Sequence, residues 1–206
     1  MKEYTYQRIQ EIKRSFRQVM DGAVAQSMRN KGIEYKLNWG ATIPRLKEMS
    51  MEIGKDYDLA VELWKENVRE CKILATMVMP AEQMMPELVD IWMEQTNSVE
   101  IAEQACFNLY QYLHDAPQKA YQWIASERDI YQLCGFLTIT RLFMNGQEPN
   151  ERGINEFLDQ VLAALQGGSL PVKKAAKNSV LRFAELGIMY ERLAKSALKS
   201  AHLDFL

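Results

Sequence analysis

The strongest constraint on this chain is the spacing of its apolar residues. Ala60, Leu63, Trp64, Val68, Cys71, Leu74, Ala75 and Val78 recur at steps of three and four. At 3.6 residues per turn, such steps put side chains on one side of an α-helix. The pattern predicts a continuous apolar stripe of about five turns. Four more stripes follow. They run from Ile101 to Leu113, from Ile130 to Leu142, from Ile154 to Leu165, and from Val172 to Phe183. No segment alternates apolar and polar residues at period two, so the expected class is all-α.

Helix-breaking residues separate the stripes. Pro80 and Pro86 bracket the helix carrying Leu88, Val89 and Trp92, and Pro117 opens one carrying Ala120, Trp123 and Ile124. Asn145-Gly146 and then Pro149 end the segment after Phe143. Gly167-Gly168-Ser169 supplies a stop and a capping serine ahead of Pro171. Proline fits the first turn of a helix and glycine the residue after its end, so these positions read as boundaries.

The stripes also resemble one another. Cys71, Cys106 and Cys134 each stand three residues before a leucine, and Asn178-Ser179-Val180-Leu181 partly fits the same frame. The irregular period suits an imperfect stack of helix pairs, each burying its face against its neighbours. The expectation is therefore a HEAT-like helical-repeat solenoid, an ARM-like α-α superhelix, forming a single curved domain over residues 1–206. A compact helical bundle is the structural alternative. In either case the cysteines read as small buried packing residues.

Composition excludes several classes. With 48% apolar and 25% charged residues, the chain matches an ordinary globular protein. Three cysteines without a CxxC pair, and only His114 and His202, argue against a disulfide framework and a zinc site. No phosphate-loop, dinucleotide or GxSxG signature occurs, so no cofactor and no metal are expected. No apolar run spans a bilayer. The start, Met1-Lys2-Glu3-Tyr4, lacks a signal-peptide core, so the chain reads as cytoplasmic with no membrane partner.

The net charge is −2, but it is unevenly spread. Residues 1–50 carry a net +5, residues 51–130 a net −9 and residues 131–206 a net +2. Two basic ends could grip a long anionic ligand, whereas scattered charges would simply solvate helix faces.

Four segments could carry chemistry. In Leu63-Trp64-Lys65-Glu66-Asn67-Val68-Arg69-Glu70, Arg69 either pairs with Glu66 one turn away or offers its planar fork to a phosphate. Asn38 to Lys47 reads as a loop followed by a helix entered near Pro44, with Arg45 and Lys47 beside its start. Lys173 and Lys177 share a helix face, with Lys174 and Arg182 nearby. Glu100, Glu103 and Gln104 fall together on another, where carboxylates could orient water or stabilise a cation.

Taken together, these pieces resemble the DNA alkylation repair family of HEAT-like DNA glycosylases, the AlkD-like proteins. The matching segments are Gln26 to Gly32, Gly40 to Lys47, Leu63-Trp64 with Arg69-Glu70, Trp123 to Ser126, and Lys174 to Arg182, spanning roughly residues 20–190. The resemblance implies a curved α-helical solenoid whose concave basic face embraces duplex DNA. It also implies excision of N3- or N7-alkylated purines, without a metal. Active members carry Trp and Asp after a Thr-x-Ser segment. Here that segment is Thr96-Asn97-Ser98, and those positions fall at about Glu100 and Gln104. A family tryptophan before Val-Leu-Arg is replaced by Ser179, and an arginine expected near Cys134 is missing.

Function is thus expected to be binding of duplex DNA, alkylated or not, with a diverged or lost site for a glycosylase acting on N3- or N7-alkylated purines. The expected DNA contacts are Arg45, Lys47, Arg69, Lys173, Lys177 and Arg182. The candidate catalytic carboxylates are Glu103 and Glu100. The alternative is a non-catalytic helical-repeat scaffold for a protein partner.

Overall fold

The computed structural model describes residues 3–30, 33, 35–203, 205 and 206. Lys31 and Gly32, at the end of the first family-like segment, lie outside the described residues, as do Met1 and Lys2. Among the described residues twelve α-helices follow one another: α1 Glu3–Phe16, α2 Gly22–Asn30, α3 Ile43–Ile53, α4 Tyr57–Lys65, α5 Arg69–Val78, α6 Pro86–Glu94, α7 Val99–Asn108, α8 Ala116–Ile124, α9 Asp129–Met144, α10 Glu151–Gln166, α11 Leu170–Ala184 and α12 Ile188–Ser200. Among the described residues the one β feature is an isolated bridge between Leu37 and Val68. No described helix is long and apolar enough to cross a membrane.

The chain gathers into two compact units, Met1–Leu109 and Tyr110–Leu206. In the first unit, α5 packs against α3, α4 and α7, and α1 packs against α4. Leu46, Leu59, Leu63, Trp64, Cys71, Leu74, Trp92 and Ile101 form its core. Trp64 stacks flat on Trp92 with centroids 4.2 Å apart, and its indole N–H donates to Gln95 Oε1 at 2.8 Å. Burying two indoles in contact contributes both area and an oriented ring pair.

In the second unit, α9 and α11 lie side by side. Helix α8 packs on α9, α10 on α11, and α8, α10 and α12 form a second layer. Phe143, Phe157, Phe183 and Tyr190 chain through its core with centroids 5.1 to 5.5 Å apart. Gly135 sits inside α9, where alanine would be the better helix former. A Cβ there would come within 2.6 Å of the Ile124 backbone nitrogen and 2.9 Å of the Ala120 carbonyl oxygen, so glycine is what lets α8 and α9 approach.

The structure changes two sequence expectations. The stripe from Ala60 to Val78 is not one helix. It breaks at Glu66-Asn67-Val68, where Glu66 and Val68 take extended conformations and Val68 bridges to Leu37. The break lets α5 fold back on α4, which buries both halves of the stripe against each other. Arg69 and Glu70 therefore open a new helix rather than extending that of Trp64. Ser169 does occupy the N-cap of α11, but its hydroxyl makes no capping bond. By contrast, Ser98, Asp56, Thr42 and Asn150 each cap their helices by accepting a backbone N–H. All three cysteines are buried, as packing residues would be.

Candidate functional site

The first turn of α5 organises a buried polar cluster. Glu70 has no exposed surface, and its carboxylate accepts the backbone N–H groups of Trp39 at 3.1 Å and Ala41 at 3.2 Å. Arg69 is 2% exposed and spends its fork within the fold. Its Nη1 donates to the Ala41 carbonyl at 2.8 Å and to Glu70 at 3.1 Å. Its Nε and Nη2 donate to the two oxygens of Glu100 at 2.8 and 2.6 Å. The Arg69 backbone N–H completes the link by donating to Leu37. A buried charge persists only when paired and hydrogen-bonded, and this cluster meets both conditions.

The cluster corrects the reading of Arg69 as a DNA contact. Its guanidinium faces inward, bound to two carboxylates and a carbonyl, and presents nothing to a phosphate. The expected Glu66 pair is also replaced: Glu66 accepts from Lys13 of α1 at 2.8 Å. The break between α4 and α5 removes the helical register that would have joined Glu66 to Arg69.

Glu100 is equally committed. Besides Arg69, it accepts the Tyr35 hydroxyl at 2.6 Å. Burial by itself would raise its pKa, but the hydrogen bonds from Arg69 and Tyr35 outweigh burial and hold the carboxyl below its ordinary value. Burial and the hydrogen bond to Glu100 push the Tyr35 hydroxyl well above its usual range. Glu100 is thus an ionised anchor joining α7 to α5 and to the segment before α3. Tyr35 lies 65 residues from its partner, and no local pattern marks it.

Glu103, one turn further along α7, remains at the surface. The protein around it and the nearby Glu100 charge raise its pKa. Gln104 accepts from Asn108, which also donates to Thr76 of α5. Of the two candidate carboxylates, Glu103 alone keeps an uncommitted, surface-facing acid.

The basic candidates sit on two helices in separate units. Arg45 and Lys47 are exposed on the first turns of α3, and Arg45 pairs with Glu48 at 2.7 Å. Gly40, just before them, has a φ of 75°, and a Cβ there would collide with the Asp21 carbonyl oxygen, so the turn into α3 needs glycine. On α11, Lys174 and Lys177 are exposed and Lys173 is half-buried. Lys177 holds its ammonium 4.7 Å from the centre of the Phe205 ring. Arg182 pairs with Glu185, while its Nε is buried without a partner. Ser179, at the place of a family tryptophan, is fully buried and donates to the Ala176 carbonyl. No group of three or more potential metal ligands occurs among the described residues.

The chain is similar to known proteins in two ways. It resembles a solved structure described as "a new family of proteins related to the HEAT-like repeat DNA glycosylases with affinity for branched DNA structures". The TM-score is 0.83 over 93% of this chain and 82% of that one, at 16% identity. At that identity the likeness establishes the fold, which is a HEAT-like repeat of helix pairs. No curated protein matches the sequence. A family model described as "DNA alkylation repair enzyme" matches residues 12–199. Nearly the whole helical stack takes part in that match, and the chain belongs to the DNA alkylation repair enzyme family.

Proposed function

We propose that this chain binds duplex DNA through basic side chains of α11 and α3, and that it recognises altered or branched DNA rather than excising a base. The observation that carries the binding reading is the charge on α11. Lys173, Lys174, Lys177 and Arg182 stand within ten residues, and α11 itself holds no carboxylate, the nearest being its C-cap Glu185, which pairs with Arg182. Phosphate neutralisation by such groups dominates DNA affinity and makes it salt-dependent. Arg45 and Lys47 supply a second basic position, on α3 of the first unit. Membership in a DNA repair family, and a structural neighbour described as having affinity for branched DNA, support the same reading.

The commitment of Glu100 to Arg69 and Tyr35 supports recognition without excision. Excision needs a carboxylate free to offset positive charge developing on the sugar. A second reading, slow excision of alkylated purines, rests on Glu103 alone, which stays at the surface and is not held by Arg69 as Glu100 is.

Titration of the purified protein against a linear duplex and a four-way junction of the same sequences tests the binding reading. Saturable, salt-sensitive binding that is tighter for the junction is expected. No binding to either at low salt would overturn it. Base release from alkylated duplex DNA, abolished by Glu103→Gln, would replace the recognition reading with the excision reading.

A further inference from the structure

The second unit carries a surface that DNA binding does not use. A groove of about 590 Å³ runs between α8 and α10. That size is typical of a ligand-binding cleft. Pro117, Tyr121 and Ala125 recur along one side of α8 and form its apolar floor. Gly153 of α10 makes room for the Tyr121 ring, since a Cβ there would lie 3.0 Å from the Tyr121 hydroxyl. That hydroxyl donates to the Gly153 carbonyl at 3.1 Å, which fixes the ring against α10.

The rim is acidic. Glu148 and Glu156 border the groove, and an adjoining depression adds Glu151 and Asp159, against a single cation, Arg152. None of these four carboxylates forms an ion pair among the described residues. Glu148 accepts the Tyr190 hydroxyl at 2.9 Å, and Glu156 helps burial raise the Tyr121 pKa to about 12. The groove is lined by α8, α10 and the segment before α10, with nothing from α9 or α11. It therefore lies in the opposite layer of the unit from the lysines of α11.

We propose that this groove docks a short basic segment of a partner protein, with an apolar side chain seated on Tyr121 and Ala125 and lysine or arginine side chains meeting Glu148, Glu151, Glu156 and Asp159. Charge complementarity selects this occupant. A nucleic acid would be repelled by the same rim, and a neutral peptide would leave four carboxylates without an ion-pair partner. The unit then has two working faces of opposite sign, one for a polyanion and one for a cationic peptide.

Two fluorescein-labelled hexapeptides test the proposal by fluorescence anisotropy with the full chain: one alternating lysine and leucine, the other alternating glutamate and leucine. The lysine peptide is expected to bind saturably and to weaken as salt rises, and the glutamate peptide to show no binding. The double variant E151K/E156K should lose at least about tenfold in affinity for the lysine peptide, as expected when charge complementarity across a contact is reversed. Its circular dichroism and its affinity for duplex DNA should remain within about twofold of the parent, because both side chains line the groove and its adjoining depression, to which α11 contributes no residue. Absence of saturable binding, equal binding of both peptides, or equal binding by parent and variant would overturn the proposal. So would concentration-dependent self-association that E151K/E156K abolishes, because a second copy of the chain would then be the occupant.

Discussion

Arg69 and Glu100 meet as a fork, Nε to Oε2 at 2.8 Å and Nη2 to Oε1 at 2.6 Å, with the arginine side chain 1% exposed and the glutamate 18%. The pair joins the first turns of α5 and α7, and Glu70 and Tyr35 tie the same point to the segment leading into α3. Glu100, a catalytic candidate in the sequence, is thereby made part of the framework.

Removing one partner of that fork leaves a buried charge uncompensated. Arg69→Ala should cost about 3–5 kcal/mol of stability, and Arg69→Lys should recover only part of it, because an ammonium cannot form two parallel bonds. Urea denaturation of each variant measures the difference. A shift in midpoint no larger than that of an exposed arginine variant would show that the fork is not structural.

Gly135 should resist its best helix-forming replacement. Alanine would gain about 1 kcal/mol of helix propensity. The Cβ would also press on backbone atoms of α8, which cannot rotate away as a side chain could. A net loss of about 1–3 kcal/mol is expected for Gly135→Ala, in the range of core overpacking. Thermal unfolding would reveal the opposite sign if α8 and α9 separate easily.

Glu100 and Glu103 should act oppositely on stability as pH changes. Glu100 has its folded pKa below the ordinary 4.5, so its contribution is present above that value and is lost as pH falls through the lower folded pKa. Glu103 has its folded pKa above 4.5, so its contribution is present below that value and is lost as pH rises through the raised pKa. Urea midpoints between about pH 3 and pH 7 should therefore fall less on the alkaline side in Glu103→Gln, and fall less on the acid side in Glu100→Gln. Identical profiles for both variants would contradict the assignment.

The cysteines should be inert in the folded protein. Burial first, and then the Glu66 charge, push the Cys71 thiol up to about 12, and Cys106 and Cys134 are buried too. The thiolate is the reactive form, so a disulfide reagent at about pH 8 should label none of the three until denaturant is added. Rapid labelling of the native chain would show an opening that the packed stripes do not suggest.

Lys173 and Lys177 should behave as phosphate contacts. Replacing both with alanine is expected to weaken duplex binding across sequences and to reduce the slope of log affinity against log salt by about two. An unchanged slope would place the DNA surface on another helix.

Much of the helical framework was legible in the sequence. The spacing from Ile154 to Leu165 gives α10, that from Val172 to Phe183 gives α11, and the prolines at 44, 86, 117 and 171 fall in the first turns of α3, α6, α8 and α11. These features are local, because apolar period and proline stereochemistry act within a turn or two. The basic residues of α3 and α11 were visible for the same reason.

Tertiary structure alone decided what the charged residues near α5 and α7 do. Apolar period could not show the break at Glu66-Asn67-Val68, because both halves keep the same stripe and only the Leu37 bridge and the packing of α4 on α5 separate them. Nor could it show that Arg69 turns inward. Its partners Ala41, Glu70 and Glu100, and the Tyr35 that completes the cluster, come from separate parts of the first unit. A charge pattern states which residues can pair. Burial decides which must, since desolvation makes an unpaired arginine far too costly to leave in the core.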